Sequence, residues 1–333
     1  MARVKYNGLV VEVPAGRSVL DALLDRGEAI PHGCRAGACQ TCLMQATQGT
    51  VPAASQRGLK AAHKERGLFL ACSCVPEEDL EVCLPDTQQL RIAASIVGRR
   101  ALADDVMELS LRTSEPFSYR AGQYVTLWRD AELGRSYSLA NLPQSDGLLQ
   151  FHIRRIEGGA FSGWIHDSAR VGDALDVQGP VGDCFYTADD PEQNLLLIGT
   201  GTGLAPLYGI LQDALAQGHR GAIHLFHGAL MRDGLYLHDS LTELAAQHDN
   251  VHYHACVLHG DDKPAADISE GDVGALALER IGAPAGWKCY LCGDPTLVNA
   301  LRKKLFLAGA AMKDIHADAF LASGPAARDP LNG

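Results

Sequence analysis

The stretch PHGCRAGACQTC, residues 31–42, gathers three cysteines into one short loop that is rich in small residues. Cys34, Cys39 and Cys42 form the pattern C-x4-C-x2-C. This spacing is that of the plant-type 2Fe–2S cluster, in which a fourth cysteine follows later in the chain. Glycine and alanine between the cysteines let backbone amides approach the sulfurs and stabilise their charge. The loop therefore predicts an iron–sulfur domain at the start of the chain.

Two candidates stand for the fourth ligand, because Cys72 follows Cys42 after 29 intervening residues and Cys74 lies two positions further on. A structural zinc site is the alternative, although zinc sites usually pair their cysteines in two separated C-x2-4-C units. The loop, together with the segment Leu70-Ala71-Cys72, resembles a plant-type ferredoxin. That resemblance implies a β-grasp fold and Cys34, Cys39, Cys42 and Cys72 as the ligands, and it leaves Cys74 and Cys83 as small apolar residues.

Composition places the chain among globular proteins of two or three domains. It has 333 residues, of which 47% are hydrophobic and 21% charged, and its formal net charge is −11. Such a charge argues against nucleic-acid binding, which needs a clustered basic surface. No apolar run reaches membrane-spanning length, and no apolar signal region is visible at the start. Ten cysteines in this context favour metal binding over disulfides, so we expect a soluble, cytoplasmic protein.

Hydrophobic periodicity changes twice along the chain. The first part begins with a hairpin over Val4–Val13 that turns at Asn7-Gly8, followed by a short helix capped by Ser18. Short alternating strands from about Leu90 to Thr187 predict an antiparallel barrel. From Asn194 onward, apolar strands alternate with helices, which predicts a parallel α/β sheet. We predict three domains, at residues 1–88, 89–190 and 191–333.

The barrel region carries residues suited to a flavin. Arg135, Tyr137 and Ser138 lie on one predicted strand and supply a cation for phosphates, a flat aromatic wall and a polar group. The segment Gly158-Gly-Ala-Phe-Ser162 lies at a predicted helix N-terminus, where free amides bind a diphosphate. A solvent-exposed arginine beside a core tyrosine is the structural alternative.

These segments, with His152-Ile-Arg154, resemble the flavin domain of the ferredoxin–NADP reductase superfamily. The resemblance implies a Greek-key barrel that binds FAD, with Ser138 beside flavin N5. It also implies the FAD contacts Arg135, Tyr137, Ser138, His152, Ile153, Arg154, Gly159 and Ser162.

A glycine-rich turn, Gly199-Thr-Gly-Thr-Gly203, follows an apolar strand and opens a helix. Leu204 breaks the Rossmann fingerprint, and no Gly-Lys pair marks a P-loop. A second turn, Cys292-Gly-Asp-Pro295, follows the last strong strand, so that both lie at the carboxyl ends of parallel strands, where such sheets bind ligands.

Together the turns resemble the pyridine-nucleotide domain of the same superfamily. The resemblance implies Thr202 beside the nicotinamide nucleotide, Cys292 near its ring, and Phe320 packing on the flavin, whereas the alternative for Phe320 is a core position. The implied nucleotide and flavin contacts are Gly199, Thr200, Gly201, Thr202, Gly203, Cys292, Gly293, Asp294 and Phe320. The implied catalytic residues are Ser138, Cys292 and Phe320.

The loop after the second strand of this domain bears on the choice of nucleotide. It reads His227-Gly-Ala-Leu-Met-Arg232-Asp233, without a Ser-Arg pair after the glycine. A 2′-phosphate needs a cation. Arg232 is a cation, but the carboxylate of Asp233 beside it would repel the phosphate. NADH is therefore predicted. We expect the residues beyond Phe320 to form a loose tail.

The order ferredoxin, flavin barrel, nucleotide domain resembles the reductase components of bacterial multicomponent oxygenases, such as those of benzoate dioxygenase and of methane and phenol monooxygenases. The resemblance implies an NADH-dependent oxidoreductase in which FAD converts a hydride into single electrons for the 2Fe–2S cluster and a separate terminal oxygenase. Two alternatives remain, a reductase for a deoxysugar dehydratase and an iron–sulfur or flavin redox sensor. We expect a monomer that meets its partner transiently, through His32, Arg35 and the Glu77-Glu-Asp79 run around the cluster loop.

Overall fold

A computed structural model gives the fold of the chain. It divides into two compact units, Met1–Leu90 and Arg91–Gly333. The structure describes residues 2–32, 35, 37, 40, 42–59, 61–85, 91–131, 133–144, 147–187, 190–260 and 267–320. The tail predicted beyond Phe320 lies outside the described residues.

The first unit is a mixed five-stranded sheet with strand order β2-β1-β5-β3-β4. Its strands pair antiparallel except for β1 and β5, which run parallel at the centre, as in a β-grasp fold. The elements are β1 (Ala2–Tyr6), β2 (Leu9–Val13), α1 (Val19–Leu24), β3 (Leu43–Gln48), α2 (Ala61–Glu65), β4 (Leu68–Leu70) and β5 (Leu80–Cys83).

Local chemistry explains how this unit begins. Asn7 and Gly8 both adopt positive φ, at 49° and 83°, which is the type I′ geometry that suits a two-residue hairpin. Ser18 caps α1, since its Oγ accepts a hydrogen bond from the amide of Asp21 at 3.1 Å. The predicted hairpin and capped helix are confirmed. One apolar core joins the sheet to α1, and among its fully buried side chains are Val4, Leu20, Leu23, Met44, Leu68 and Phe69.

The second unit begins with a six-stranded antiparallel sheet of order β10-β7-β6-β11-β8-β9. An isolated bridge between Leu139 and Phe151 links the two outer strands and closes the sheet into the predicted barrel. Its elements are β6 (Arg91–Ala103), β7 (Val106–Thr113), β8 (Tyr124–Trp128), β9 (Gly134–Ser138), β10 (Leu148–Arg154), α3 (Ala160–Asp167) and β11 (Ala174–Val181).

The rest of this unit is a six-stranded sheet of order β15-β14-β13-β12-β16-β17, in which every pair is parallel. Right-handed crossovers through helices build such sheets, so all carboxyl strand ends meet at one edge. Its elements are β12 (Leu195–Thr200), α4 (Leu204–Ala216), β13 (Ile223–Ala229), α5 (His238–Gln247), β14 (Val251–Val257), β15 (Ile268–Glu270), α6 (Val273–Ile281), β16 (Lys288–Gly293), α7 (Pro295–Leu307) and β17 (Ile315–Ala319).

Every helix among the described residues is too short or too polar to cross a lipid bilayer.

Candidate functional site

Two described residues of the cluster loop, Gly37 and Cys42, lie against the turn that follows β4. Cys42 directly precedes β3 and is buried, and its carbonyl oxygen accepts a hydrogen bond from the Ala71 amide at 3.0 Å. This bond brings Cys42 next to the turn that carries Cys72, which is partly exposed. Gly37 has a φ of 72°, and a Cβ there would lie 2.5 Å from Ser73 Oγ, so only glycine fits where the loop meets this turn. The neighbouring positions of Cys42 and Cys72 fit two ligands of one cluster.

Cys74 differs from Cys72 in its surroundings. It is fully buried, and burial raises the pKa of its thiol to about 12, although a hydrogen bond with Ser55 acts in the opposite direction. Cys74 packs in the apolar core of this unit, whereas Cys72 lies on the turn bonded to Cys42, and this placement favours Cys72 as the ligand. Cys34 and Cys39, the two remaining predicted ligands, lie outside the described residues.

Strand β9 presents Arg135, Tyr137 and Ser138 as the pattern predicts. Arg135 is partly exposed and donates to its neighbour's carbonyl, which leaves most of its guanidinium donors available. The Tyr137 ring packs on Phe161 of α3, with centroids 5.5 Å apart, and burial raises the pKa of its phenol. The strand therefore provides a fixed aromatic face beside a cation, which suits a flavin and its phosphates.

Ser138 points to the opposite side of the strand, toward the parallel sheet. It is 6% exposed, and its Oγ donates a hydrogen bond to Asp318 Oδ2 at 3.3 Å. Burial raises the pKa of the Asp318 carboxyl to about 6, against the lowering effect of that bond, and the nearby charge of Asp183 adds to the rise. A carboxyl with this pKa gains and loses protons near neutral pH, which is what a proton donor needs.

Asp318 is the functional candidate that the sequence analysis missed. It lies on β17, in register with Cys292 of β16, although the sequence stretch Ile315–Phe320 was not predicted to be a strand. Its signal was present in the sequence, because an acidic residue between alanines, two positions before Phe320, is out of place in an apolar strand.

Two predicted flavin contacts have their side chains engaged elsewhere. Ser162 is buried and its Oγ accepts a hydrogen bond from the Ile156 amide at 3.1 Å, which closes the turn before α3. His152 lies 3.2 Å from the Tyr236 hydroxyl, and burial lowers the pKa of its imidazole to about 3. Ile153 is buried in the barrel core. The geometry leaves the backbone of this strand, and Gly159 at the N-cap of α3, for a flavin.

Arg154 lies nearer to the nucleotide loop than its predicted role implies. Its guanidinium occupies the space in which a Cβ on Gly201 would stand, and its Nε lies 3.3 Å from Asp105 Oδ2. Gly201 has a φ of 52° and begins the single 3-10 turn that precedes α4. The barrel thus places one cation directly beside the glycine-rich turn.

The two predicted nucleotide turns interlock. A Cβ on Gly203 would collide with the carbonyl oxygen of Cys292, and one on Gly293 would lie 2.7 Å from Thr200 Oγ1. The Asp294 amide donates to the same Thr200 hydroxyl at 3.4 Å. Close approach of this kind is available only to glycine, and it packs both turns at the N-terminus of α4, where a helix attracts a phosphate.

The remaining predicted residues lie around this edge. Gly199 is buried on β12 and pairs with Cys292, whereas Thr202 is partly exposed. The Asp294 carboxylate accepts from the Leu297 amide at 3.0 Å and caps α7. Phe320 follows β17, is partly exposed, and donates its amide to the Gly293 carbonyl at 2.8 Å.

Cys292 is fully buried and lies between two partners. Asp318 is its register neighbour, and Cys184 Sγ lies 3.6 Å from Cys292 Sγ. Burial is the main cause that raises the pKa of the Cys292 thiol, and the adjacent Cys184 adds to it. The structure thus brings Ser138, Cys292 and Asp318 together at the junction of barrel and sheet.

A barrel with a flavin-type strand, joined to a parallel sheet with two glycine turns and preceded by a cysteine-loop domain, defines an electron-transfer oxidoreductase. Comparison with protein families agrees: residues 3–77 match the 2Fe-2S iron-sulfur cluster binding domain, 93–186 the oxidoreductase FAD-binding domain, and 197–303 the oxidoreductase NAD-binding domain. Bound flavin accepts a hydride and releases electrons singly, and a 2Fe–2S cluster carries one electron.

Known proteins of similar length extend this result. The chain is 30% identical to the reductase component of the naphthalene 1,2-dioxygenase system of Pseudomonas putida, over 96% of this chain and 98% of that protein. It is 33% identical to the aromatic O-demethylase reductase subunit of an Amycolatopsis species, over 95% and 98%. The crystal structure of an Amycolatopsis cytochrome P450 reductase superposes with a TM-score of 0.70 at 30% identity, covering 97% of this chain and 100% of that one. The chain belongs to the family of oxygenase reductase components.

Proposed function

We propose that this protein oxidises NADH and delivers single electrons, through FAD and its 2Fe–2S cluster, to a separate terminal oxygenase that it meets transiently as a monomer in the cytoplasm. The observation that carries the proposal is the meeting of Ser138 and Asp318 with Cys292. The first belongs to the flavin barrel, and the other two lie at the carboxyl edge of the nucleotide sheet.

Different residues would bind the flavin, bind the dinucleotide and hold a proton. Tyr137 and Arg135 would hold the flavin ring and phosphates, while the interlocked glycine turns would receive the dinucleotide diphosphate at the start of α4. Arg154, beside Gly201, would contribute its charge to that diphosphate rather than to FAD. Ser138 and Asp318 would hold a proton between Oγ and Oδ2 at the point of hydride transfer.

The loop after β13 supports NADH over NADPH. Arg232 and Asp233 are both exposed there, and the charge of Arg232 acts on the carboxylate of Asp267 as well. Two neighbouring carboxylates weaken the attraction of this arginine for a 2′-phosphate. We expect kcat/KM for NADH to exceed that for NADPH by more than about tenfold, and a preference for NADPH would contradict this choice.

The domain boundaries 1–88, 89–190 and 191–333 remain part of the proposal. The three family matches fall inside them, and the division of the chain into compact units after Leu90 supports the first one.

An anaerobic NADH titration followed by visible absorption tests the electron path. Uptake of about three electrons per chain, with flavin and cluster bands both bleached, is the expected result. A flavin that bleaches without any cluster band, or a protein that carries zinc, would contradict the cluster assignment.

The order of the path is tested by Cys39→Ser. This variant should lose electron delivery to cytochrome c and keep most of its NADH-driven ferricyanide reduction, since the flavin site lies in the other unit. Equal loss of both activities would contradict the order. The relatives serve a ring dioxygenase and an O-demethylase, so reconstitution with purified oxygenases of both kinds identifies the acceptor class.

A further inference from the structure

Cys184 is a buried thiol that the proposed reaction does not use. It belongs to the flavin-domain match, and Cys292 belongs to the nucleotide-domain match, yet their Sγ atoms are 3.6 Å apart in one apolar cluster. Both thiols are free, with 3% and 0% exposure. A separation of 3.6 Å is far longer than a disulfide bond and fits a hydrogen bond between two thiols.

The segment that carries Cys184 is held firmly by the barrel. Arg120 donates to the Tyr186 carbonyl at 2.7 Å and lies over the Phe185 ring, 4.1 Å from its centroid. Gln123 Nε2 donates to the Gly182 carbonyl at 3.0 Å. These contacts flank Cys184 on both sides, so the barrel holds the backbone that carries this sulfur.

A glycine brings the barrel backbone against Cys184 itself. A Cβ on Gly122 would lie 2.5 Å from the Cys184 carbonyl oxygen and 2.8 Å from the Ile210 side chain of α4. Any side chain at this position would push the Cys184 segment away from the barrel. The barrel therefore determines where the Cys184 thiol stands relative to the parallel sheet.

Cys292 has two polar neighbours at its sulfur, the Cys184 thiol and the backbone of Asp318. Its side chain shares a register with Gly199 of β12, which has none, and with Asp318 of β17, whose carboxyl is engaged with Ser138. Side chains at one register of parallel strands point to the same face, and the Cys184 thiol adds a side-chain hydrogen bond to the contact that the Asp318 backbone makes with this sulfur.

We propose that Cys184 is a positioning residue for hydride transfer, whose thiol hydrogen-bonds to Cys292 Sγ and holds that sulfur in one rotamer where the nicotinamide binds. This inference rests on the proposed function, because it assumes that Cys292 faces the nucleotide. A protonated thiol held in one rotamer presents a polarisable surface to the nicotinamide ring in one orientation.

The test compares Cys184→Ala, Cys184→Ser and Cys289→Ala in the FAD-loaded, full-length protein. Cys289 is the matched control, since it is an equally buried thiol on the same strand that packs in the separate apolar cluster on the other face of the sheet. The first readout is the limiting rate of flavin reduction by NADH in anaerobic stopped flow, together with the NADH concentration for half-saturation.

We expect Cys184→Ala to lower the limiting rate about fivefold, the effect of one net hydrogen bond, with half-saturation changed by less than about twofold. Cys184→Ser should remain within about twofold of the wild-type rate, because a hydroxyl oxygen can take part in the same bond. Cys289→Ala should leave both quantities unchanged.

The second readout needs no turnover. The S–H stretching band in infrared difference spectra of the oxidised protein should show a hydrogen-bonded thiol that Cys184→Ala removes and Cys289→Ala leaves in place. A rate and a spectrum for Cys184→Ala that match those of Cys289→Ala would overturn the inference. A wild-type flavin that NADH does not reduce would instead refute the proposed function, and the inference with it.

Discussion

Replacing Asp318 by asparagine separates its charge from its shape. The amide oxygen can still accept the hydrogen bond from Ser138 Oγ, but the side chain no longer ionises. In the folded protein the carboxyl has a pKa of about 6 instead of 3.8, mainly because it is buried. The ionised form is therefore the costly one, and the variant avoids that cost.

The direction follows from proton linkage. A carboxyl with a raised native pKa stabilises the fold fully below about pH 3.8, and this contribution is lost as the pH rises through about 6. The shift corresponds to about 3 kcal/mol in the free energy of unfolding. As the pH rises from below about 3.8 to above about 6, the wild-type protein should lose this free energy of unfolding relative to Asp318→Asn. For a unit of this size the loss corresponds to roughly 6–12 °C in Tm.

The assay is thermal release of FAD, followed by flavin fluorescence at a series of pH values from acidic to slightly basic. The quantity of interest is the difference between the two Tm curves, because the other titrating groups cancel in it. Asp314→Asn serves as the control, since it removes a carboxylate from the residue directly before β17, whereas the Ser138 hydrogen bond goes to Asp318. A difference curve for Asp318→Asn that stays flat with pH would refute the reasoning.

Three further outcomes are expected. Cys72→Ser should abolish the cluster absorption, whereas Cys74→Ser should keep the cluster and lower the free energy of unfolding by about 1–3 kcal/mol; cluster loss in the second variant alone would reverse the ligand assignment. Gly203→Ala should block flavin reduction by NADH while FAD stays bound, because the new Cβ meets a neighbouring carbonyl oxygen; full activity would show that the turn has room. Burial lowers the pKa values of His224 and His254 to about 4, so the free energy of unfolding should fall as the pH drops from about 6.5 toward 4. The measurement is the urea midpoint of the wild type and of a variant in which phenylalanine replaces both histidines. An equal fall of the midpoint in both proteins would contradict this prediction.

The periodicities in the sequence predicted most of the architecture because each long element obeys a local rule. The Asn7-Gly8 turn and the Ser18 cap need only neighbouring residues, and the apolar strand that ends at Thr200 is unambiguous. The three-residue strands β4 and β15 and the strand β17 were missed. Two are too short to show a period, and β17 has only one large apolar residue, Ile315, so its alternation is weak.

The site was predicted unevenly for a related reason. Motif spacing locates residues that act within one turn, such as Gly203 and Cys292. It does not show which side chains meet across domains, since these contacts depend on how the barrel packs on the sheet. Asp318, Arg154 and Cys184 all owe their positions to that packing, with partners on separate elements.

The interlocked glycine turns also bear on how coenzyme preference could be altered by engineering. Because Gly203 and Gly293 are each packed against the opposite turn, substitutions there would damage the site for every dinucleotide alike. The loop after β13 has the opposite character, since Leu230 and Met231 are 68% and 49% exposed and new side chains would meet little steric resistance. A variant library for NADPH use should therefore vary the residues of that loop and keep both glycine turns unchanged.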